Sequence, residues 1–127
     1  MEATSPGTTP EPFERKIERW VKVIGKYIEE NYFYDLLEDY LKRYCEKIEI
    51  LFDENPYYNI RMVEGASGIG YGTLGYVNEI VCDNTIYKLE IEYTVYEFES
   101  EDGGNITTVI HSIDHVNVEK IEEKAGE

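Results

Sequence analysis

The segment His111-Ser112-Ile113-Asp114-His115 places two imidazoles and a carboxylate close together. On a helix, histidines four residues apart could share a metal ion. The flanking residues are mostly β-branched, which favours a strand, and four strand residues span about 13 Å. One ion cannot touch both rings at that separation, so we expect no metal site and no bound cofactor.

Asp114 is the candidate catalytic acid or base. Asp102-Gly103 predicts a tight hairpin turn, and if residue i faces residue 205 − i across it, Asp114 lies opposite Ile91 on an apolar inner face. Desolvation there would raise the pKa of the carboxyl group, which suits proton transfer. The predicted hydroxyl partner is Tyr93, with Tyr87 and Tyr40 as alternatives.

Two other interpretations of Asp114 stay open. The carboxylate could be hydrated at the open end of the sheet, or hydrogen-bonded to a tyrosine. A one-residue bulge would turn Asp114 outward and bring His111 and His115 inward, because side chains alternate between faces.

A glycine-rich stretch supplies the second motif. Residues 70–77, Gly-Tyr-Gly-Thr-Leu-Gly-Tyr-Val, match the G-x-G-x-x-G-x-V pattern of protein-kinase nucleotide loops. Neither H-R-D nor D-F-G follows, so we expect no nucleotide. Residues 65–75 are interpreted as a loop or irregular strand. The glycines expected in a flexible contact loop are Gly68, Gly70, Gly72 and Gly75.

Acidic residues form the third feature. The 127-residue chain has 27 Asp and Glu against 12 Lys and Arg, a net charge of −15. This balance argues against direct nucleic-acid binding and against docking on anionic membranes. Residues 64–102 contain nine acidic residues against Lys88 alone, which gives eight of the fifteen net charges. Solubility explains such a face, and binding of a basic partner is the functional alternative. The residues predicted to bind that partner are Glu90, Glu92, Glu97 and Glu99.

Two amphipathic helices precede the strands that would carry these residues. A first apolar stripe recurs every three or four residues, at Phe13, Ile17, Trp20, Ile24 and Ile28. A second stripe begins at Phe33 and continues through Leu37 and Leu41. We expect a hinge between the two helices at residues 31–34.

Period-two alternation then predicts about five antiparallel strands. The longest is expected over residues 87–99, and Asp83-Asn84 predicts the turn before it. The fold class is therefore α+β, with an N-terminal helical pair packed on a curved, mainly antiparallel sheet. We expect a flexible tail over residues 1–10, a single domain over 11–118 and a charged tail, helical at most, over 119–127.

This order of elements resembles cystatin-like and nuclear-transport-factor-2-like folds over roughly residues 11–118. The resemblance is architectural, and the Gly-rich segment stands where those families often place an extra helix. It implies a sheet curved around a long helix, with a conical pocket between them. In ketosteroid-isomerase-like members, carboxylates in this pocket work with tyrosine hydroxyls, which would assign that role to Asp114 and Tyr93.

The two cysteines, Cys45 and Cys82, are too few for a disulfide scaffold. We expect buried free thiols, with a single bridge as the alternative. The chain lacks glutamine and is rich in isoleucine, tyrosine, glutamate and lysine, a composition typical of heat-adapted proteins, in which intracellular disulfides occur. No signal sequence or membrane span is apparent, so a cytoplasmic location is expected.

Three functions follow as hypotheses. The preferred one is a non-enzymatic protein whose acidic sheet face binds a basic protein surface, with a viral or mobile-element origin as part of this hypothesis. The second is a small-molecule or isomerase-like pocket that uses Asp114 and a tyrosine. The third is a structural homo-oligomer whose predicted interface contains Tyr96, Phe98, Val109 and Ile113.

Overall fold

The computed structural model describes residues 11–63, 68–100 and 103–123. Within these ranges, two helices and six strands follow one another. They are α1 (Phe13–Ile24), β1 (Ile28–Glu29), α2 (Glu30–Lys42), β2 (Ile48–Leu51), β3 (Tyr57–Met62), β4 (Ile69–Cys82), β5 (Thr85–Glu99) and β6 (Ile106–Glu123). The predicted α+β class, with helices N-terminal to an antiparallel sheet, is confirmed.

The break between the helices lies earlier than residues 31–34, where the sequence pattern placed it. Gly25 ends α1, and its N–H donates to the carbonyl of Val21. A Cβ at Gly25 would lie 2.4 Å from Ile113 Cδ1, so only glycine permits this close approach. Tyr27 then adopts a φ of 51°, and β1 joins the sheet before α2 begins at Glu30. The expected hinge is therefore wrong, because residues 31–34 lie within α2.

The sheet is antiparallel, with the strand order β1-β6-β5-β4-β2, and β3 also pairs with β4. The β4 strand therefore has β5 along one side and two shorter strands along the other. Its C-terminal part pairs with β2, whereas residues 70–75 pair with β3. Between these strands, Asp53 ties the connection to β4, because its carboxylate accepts the backbone N–H of Val77 at 3.0 Å.

The prediction of a glycine-rich loop is wrong for three of its four residues. Gly70, Gly72 and Gly75 lie within β4 and pair with both β3 and β5, while Gly68 precedes the strand with a φ of 78°. A Cβ at Gly72 would lie 2.1 Å from the carbonyl oxygen of Asn59. Glycine at this position therefore lets β3 approach β4 closely.

Three register shifts bend the long β5–β6 hairpin. Val95 pairs with Ile110, as the 205 − i rule predicts, but Tyr93 pairs with Ile113 and Ile91 with Val116. The unpaired residues of β6 at these shifts are His111, Asp114 and Ile121. Bulges of this kind increase local twist and curvature. The strand continues to Glu123, so residues 119–123 belong to the sheet rather than to a charged tail. The expected tail residues 1–10 and 124–127 lie outside the described residues.

The core forms where both helices cover the inner face of the sheet. From the helices it contains Ile17, Val21, Phe33, Leu37 and Leu41, each completely buried. From the strands it contains Ile80, Leu89, Tyr93, Val95, Ile110 and Val118, also completely buried. Burial of these side chains supplies the main driving force for packing the helices onto the sheet.

A disulfide joins Cys45, just after α2, to Cys82 at the end of β4. The expectation of two free thiols is therefore wrong, and the alternative of a single bridge holds. The bridge fixes the C-terminal end of α2 to the sheet edge formed by β2. Neither helix of the described ranges has the length and apolar character needed to cross a bilayer.

Candidate functional site

Asp114 does not face the core. It is the unpaired residue of a β6 bulge, and its side chain is exposed on the outer face, where it accepts a hydrogen bond from Thr94 Oγ1 at 2.7 Å. The prediction that Asp114 faces inward, opposite Ile91 and near the Tyr93 hydroxyl, is therefore wrong, whereas the alternative of a bulge that turns Asp114 outward holds.

Neither His111 nor His115 turns toward the inner face of the sheet. A second bulge at His111 restores the alternation, so the two shifts offset one another. The ring of His111 is half-buried between Tyr27 and Tyr96, with centroid distances of 4.9 and 5.8 Å. His115 is exposed. Among the described residues, no group of three or more potential ligands is placed to hold a metal ion.

Tyr93 does face inward, as predicted, but its carboxylate partner is Glu30. Its hydroxyl donates to Glu30 Oε2 and lies 3.3 Å from the hydroxyl oxygen of Tyr34. Asn78, completely buried, extends the network by donating from Nδ2 to the Tyr34 hydroxyl oxygen at 3.4 Å. Tyr87 and Tyr40 lie elsewhere: Tyr87 packs against Phe13, and Tyr40 stacks on Trp20.

The tyrosines of this network are held neutral. Burial raises the pKa of Tyr93, with further contributions from Tyr34 and Glu30. Burial also raises the pKa of Tyr34. The pKa of Tyr76 rises to about 12 because of burial and the nearby Glu30 carboxylate. These hydroxyls therefore act as hydrogen-bond donors near neutral pH, while Glu30 supplies the acceptor.

A cleft of ≈ 500 Å³ opens beside this network, between the start of α2 and the gap that separates β2 from β3. Its lining combines carboxylate, amide and aromatic groups: Glu30, Asn31, Tyr34, Asp35, Phe52 and Tyr76. The Phe52 ring meets the Tyr34 ring at 84°, with a centroid distance of 4.9 Å, so the two rings form a corner. The cleft therefore combines aromatic rings with two carboxylates, those of Glu30 and Asp35.

The inner face of the sheet continues beyond the helices as an open groove. Its lining residues come from β3, β4, β5 and β6: Tyr58, Ile60, Arg61, Met62, Gly68, Gly70, Glu97, Glu99 and Ile106. Tyr58, Met62 and Ile106 are 58%, 66% and 64% exposed. Tyr58 also donates a hydrogen bond of 2.8 Å to Glu97 Oε1, which raises the pKa of the Tyr58 hydroxyl.

A third depression neighbours both the groove and the cleft. It is lined by Glu29, Glu30, Asn31, Ile106, Thr107 and Thr108, and so shares Ile106 with the groove and Glu30 and Asn31 with the cleft. We call the surface formed by these three neighbouring depressions the concave acidic face. Its carboxylates are Glu29, Glu30, Asp35, Glu97 and Glu99, and Arg61 is the one cation among its described lining residues.

The four glutamates predicted to bind a partner do not share one surface. Glu97 and Glu99 line the groove on the inner face. Glu90 and Glu92 project from the outer face, where Glu92 pairs with His115 and Glu90 accepts a 3.4 Å hydrogen bond from Asn117. Strand alternation separates the two pairs, because the buried residues of β5 are the odd-numbered ones from 87 to 95.

The predicted oligomer interface also divides. The Tyr96 ring contacts those of Tyr71 and Phe98 on the outer face, and Val109 pairs with Tyr96. Ile113 instead packs against Gly25 at the edge of the core. The outer face therefore carries an aromatic cluster without Ile113.

Comparison with known proteins finds no matching family model, no similar curated protein and no similar solved structure.

Glu30 is the residue that reasoning from the sequence missed. It begins α2 and lies four residues before Tyr34, seven before Leu37 and eleven before Leu41. This spacing places Glu30 at the end of the buried stripe of α2. The second apolar stripe, extended by one helical turn toward the N-terminus, includes the position of Glu30.

Proposed function

We propose that the chain binds a basic amphipathic helix of a partner protein in the groove of its concave acidic face. The observation that carries this proposal is the groove, in which Glu97 and Glu99 on β5 lie between exposed apolar side chains of β3 and β6, on a face that α1 and α2 leave uncovered. Exposed apolar surface combined with charge is typical of protein-interaction sites.

The charge of the groove determines the kind of partner. Two glutamates line the groove against Arg61, and Glu29 and Glu30 continue the acidic character toward α2. A basic partner would be attracted to this surface and an acidic one repelled, mainly through the association rate. The net charge of −15 adds attraction at longer range.

The fold favours a helix as the occupant. The helices α1 and α2 already pack on the same inner face of the sheet, where they cover Leu89, Tyr93 and Val95. A further helix laid beside them would extend this layer. Its apolar stripe would contact Ile60 and Met62 on β3, while lysines flanking the stripe would face Glu97 and Glu99 on β5.

The test uses two variants that change the net charge equally. In Glu97→Lys/Glu99→Lys the reversal lies on the inner face, and in Glu90→Lys/Glu92→Lys it lies on the outer face of the same strand. The probe is a synthetic helix with a leucine stripe flanked by lysines, and its affinity is measured by calorimetry at two salt concentrations. We expect the inner-face reversal to weaken binding by about tenfold or more, and the outer-face reversal by less than about threefold.

Two results would contradict this proposal. One is an equal loss of affinity in both variants, which would indicate attraction to net charge alone. The other is equal binding of a control helix in which glutamates replace the lysines. The structural homo-oligomer and the resemblance to cystatin-like and nuclear-transport-factor-2-like folds stay predictions.

A further inference from the structure

We infer that the cleft at the start of α2 is a second binding site, which takes an organic ammonium group. This site does not depend on the proposed helix partner. The cleft volume of ≈ 500 Å³ falls within the range of about 300–1,000 Å³ that is usual for small-ligand sites. The aromatic and acidic residues that line the cleft determine which ligand it can bind.

The aromatic walls provide faces for a cation. The rings of Phe52 and Tyr34 meet nearly at a right angle, and Tyr76 lines the same cleft. Phe52 is 53% exposed, so a large part of its ring is not used in the core. Tyr34 is 8% exposed, so the open ring surface belongs to Phe52 and the half-buried Tyr76. The face of an aromatic ring attracts a quaternary ammonium group, because it carries negative charge density.

The carboxylates decide the sign of the ligand charge. Glu30 and Asp35 both line the cleft. The N-terminus of α2 contributes a positive end equivalent to about half an elementary charge, which two carboxylates outweigh. An anionic ligand would therefore be repelled, whereas a cation would find both charge and aromatic contact.

The buried network holds this wall in place. Glu30 Oε2 accepts the Tyr93 hydroxyl, and Tyr93 in turn lies beside Tyr34. Asn78 holds Tyr34 from one side and accepts the backbone N–H of Asp53 at 2.8 Å, next to Phe52. The carboxylate and both rings of the corner are thus linked through the core, which limits the reorganisation needed on binding.

The test compares two probes of the same shape. Choline carries a quaternary ammonium group, and 3,3-dimethylbutan-1-ol is its neutral isostere. Titration of the full chain, followed by NMR, is expected to show saturable binding of choline and at least tenfold weaker binding of the isostere. Equal binding of the two probes would overturn the inference, as would no binding of choline at millimolar concentrations.

Variants locate the site. Phe52→Leu keeps the wall apolar but removes the ring, and we expect it to weaken choline binding by about three- to tenfold. Asp35→Asn removes one charge and should also weaken it. Both positions are exposed, so both variants should fold. The matched controls are Tyr32→Leu and Asp39→Asn, exposed positions of α2 outside the cleft, and they should bind choline as the parent chain does. Loss of binding in the controls, or full binding in both cleft variants, would place the site elsewhere.

A further arm identifies the source of the ammonium group. N-acetyl-trimethyllysine amide presents the same cation on a lysine side chain. Tighter binding of this probe than of choline would assign the cleft to a modified protein segment. Tighter binding of choline would assign it to a free small-molecule ammonium compound. The Glu97→Lys/Glu99→Lys variant should bind choline normally, so failure of this site and failure of the helix proposal can be told apart.

Discussion

The two halves of the concave sheet face are built from the same strands but differ in what covers them. Under the helices, the inward residues of β5 are Leu89, Ile91, Tyr93 and Val95, all buried. Beyond the helices, the next two inward residues of the same strand are Glu97 and Glu99. The alternation continues without interruption, whereas the chemistry changes from apolar to acidic where the helical cover ends. The closed half therefore serves stability, and the open half is the surface on which we propose that a partner binds.

The first effect to test is the destabilisation of the closed half at alkaline pH. Tyr34 and Tyr93 have raised pKa values in the folded state, so above about pH 10 the unfolded chain releases protons that the folded chain retains. The free energy of unfolding should then fall with rising pH, by up to about 1.4 kcal/mol per pH unit for each tyrosine. Urea unfolding between pH 9 and 11, followed by circular dichroism, measures this slope.

A tyrosine-deleted variant is the control for that measurement. Tyr93→Phe removes one of the two groups and should give a shallower pH dependence. A parent chain whose free energy of unfolding stays constant across this range would contradict the placement of these hydroxyls in the core.

Substituting one phenylalanine in the core and one in the cleft compares how much each region contributes to the free energy of unfolding. Phe33 is completely buried, so Phe33→Ala should reduce the free energy of unfolding by about 3–5 kcal/mol. Phe52 is half exposed, and Phe52→Ala should reduce it by at most about 1 kcal/mol. Urea denaturation of both variants provides the comparison, and similar losses would mean that the cleft is part of the core.

Two glycines of β4 test the packing of the open half. A Cβ at Gly72 would meet the backbone of Asn59, whereas a Cβ at Gly75 would lie 3.5 Å from the nearest atom, in Tyr57. Gly72→Ala should therefore destabilise the chain by about 1–3 kcal/mol and loosen β3, and Gly75→Ala by less than about 1 kcal/mol. Urea denaturation with amide hydrogen exchange of β3 tests both effects. Equal behaviour of the two variants would show that β3 does not approach β4 at Gly72.

The smallest effect is expected on the outer face. Asp114→Ala removes one exposed hydrogen bond to Thr94, so the free energy of unfolding should change by about 0.5 kcal/mol or less. Binding of the lysine-flanked helix should not change. A decrease of several kcal/mol in the free energy of unfolding would indicate that the Asp114 side chain is buried.

Periodicity was sufficient to predict the helices, most strands and the inward direction of Tyr93. It could not predict the bulges at His111 and Asp114, because a bulge depends on how β6 bends around the core and no residue type marks it. The prediction that the Asp114 side chain points inward was wrong for this reason. Gly70, Gly72 and Gly75 were assigned to a loop because glycine usually disfavours strands, whereas here Gly72 provides the room that β3 needs. Pairing of Cys45 with Cys82 requires the end of α2 to meet the end of β4, which spacing alone does not show.

Methyl NMR of the chain, titrated with the lysine-flanked helix, tests the division between the two faces most directly. Ile60 and Ile106 line the groove, whereas Val77 lies exposed on the outer face of β4. We expect the methyl signals of Ile60 and Ile106 to shift on binding, while those of Val77 stay in place. Shifts confined to Val77 and its outer-face neighbours would contradict this expectation.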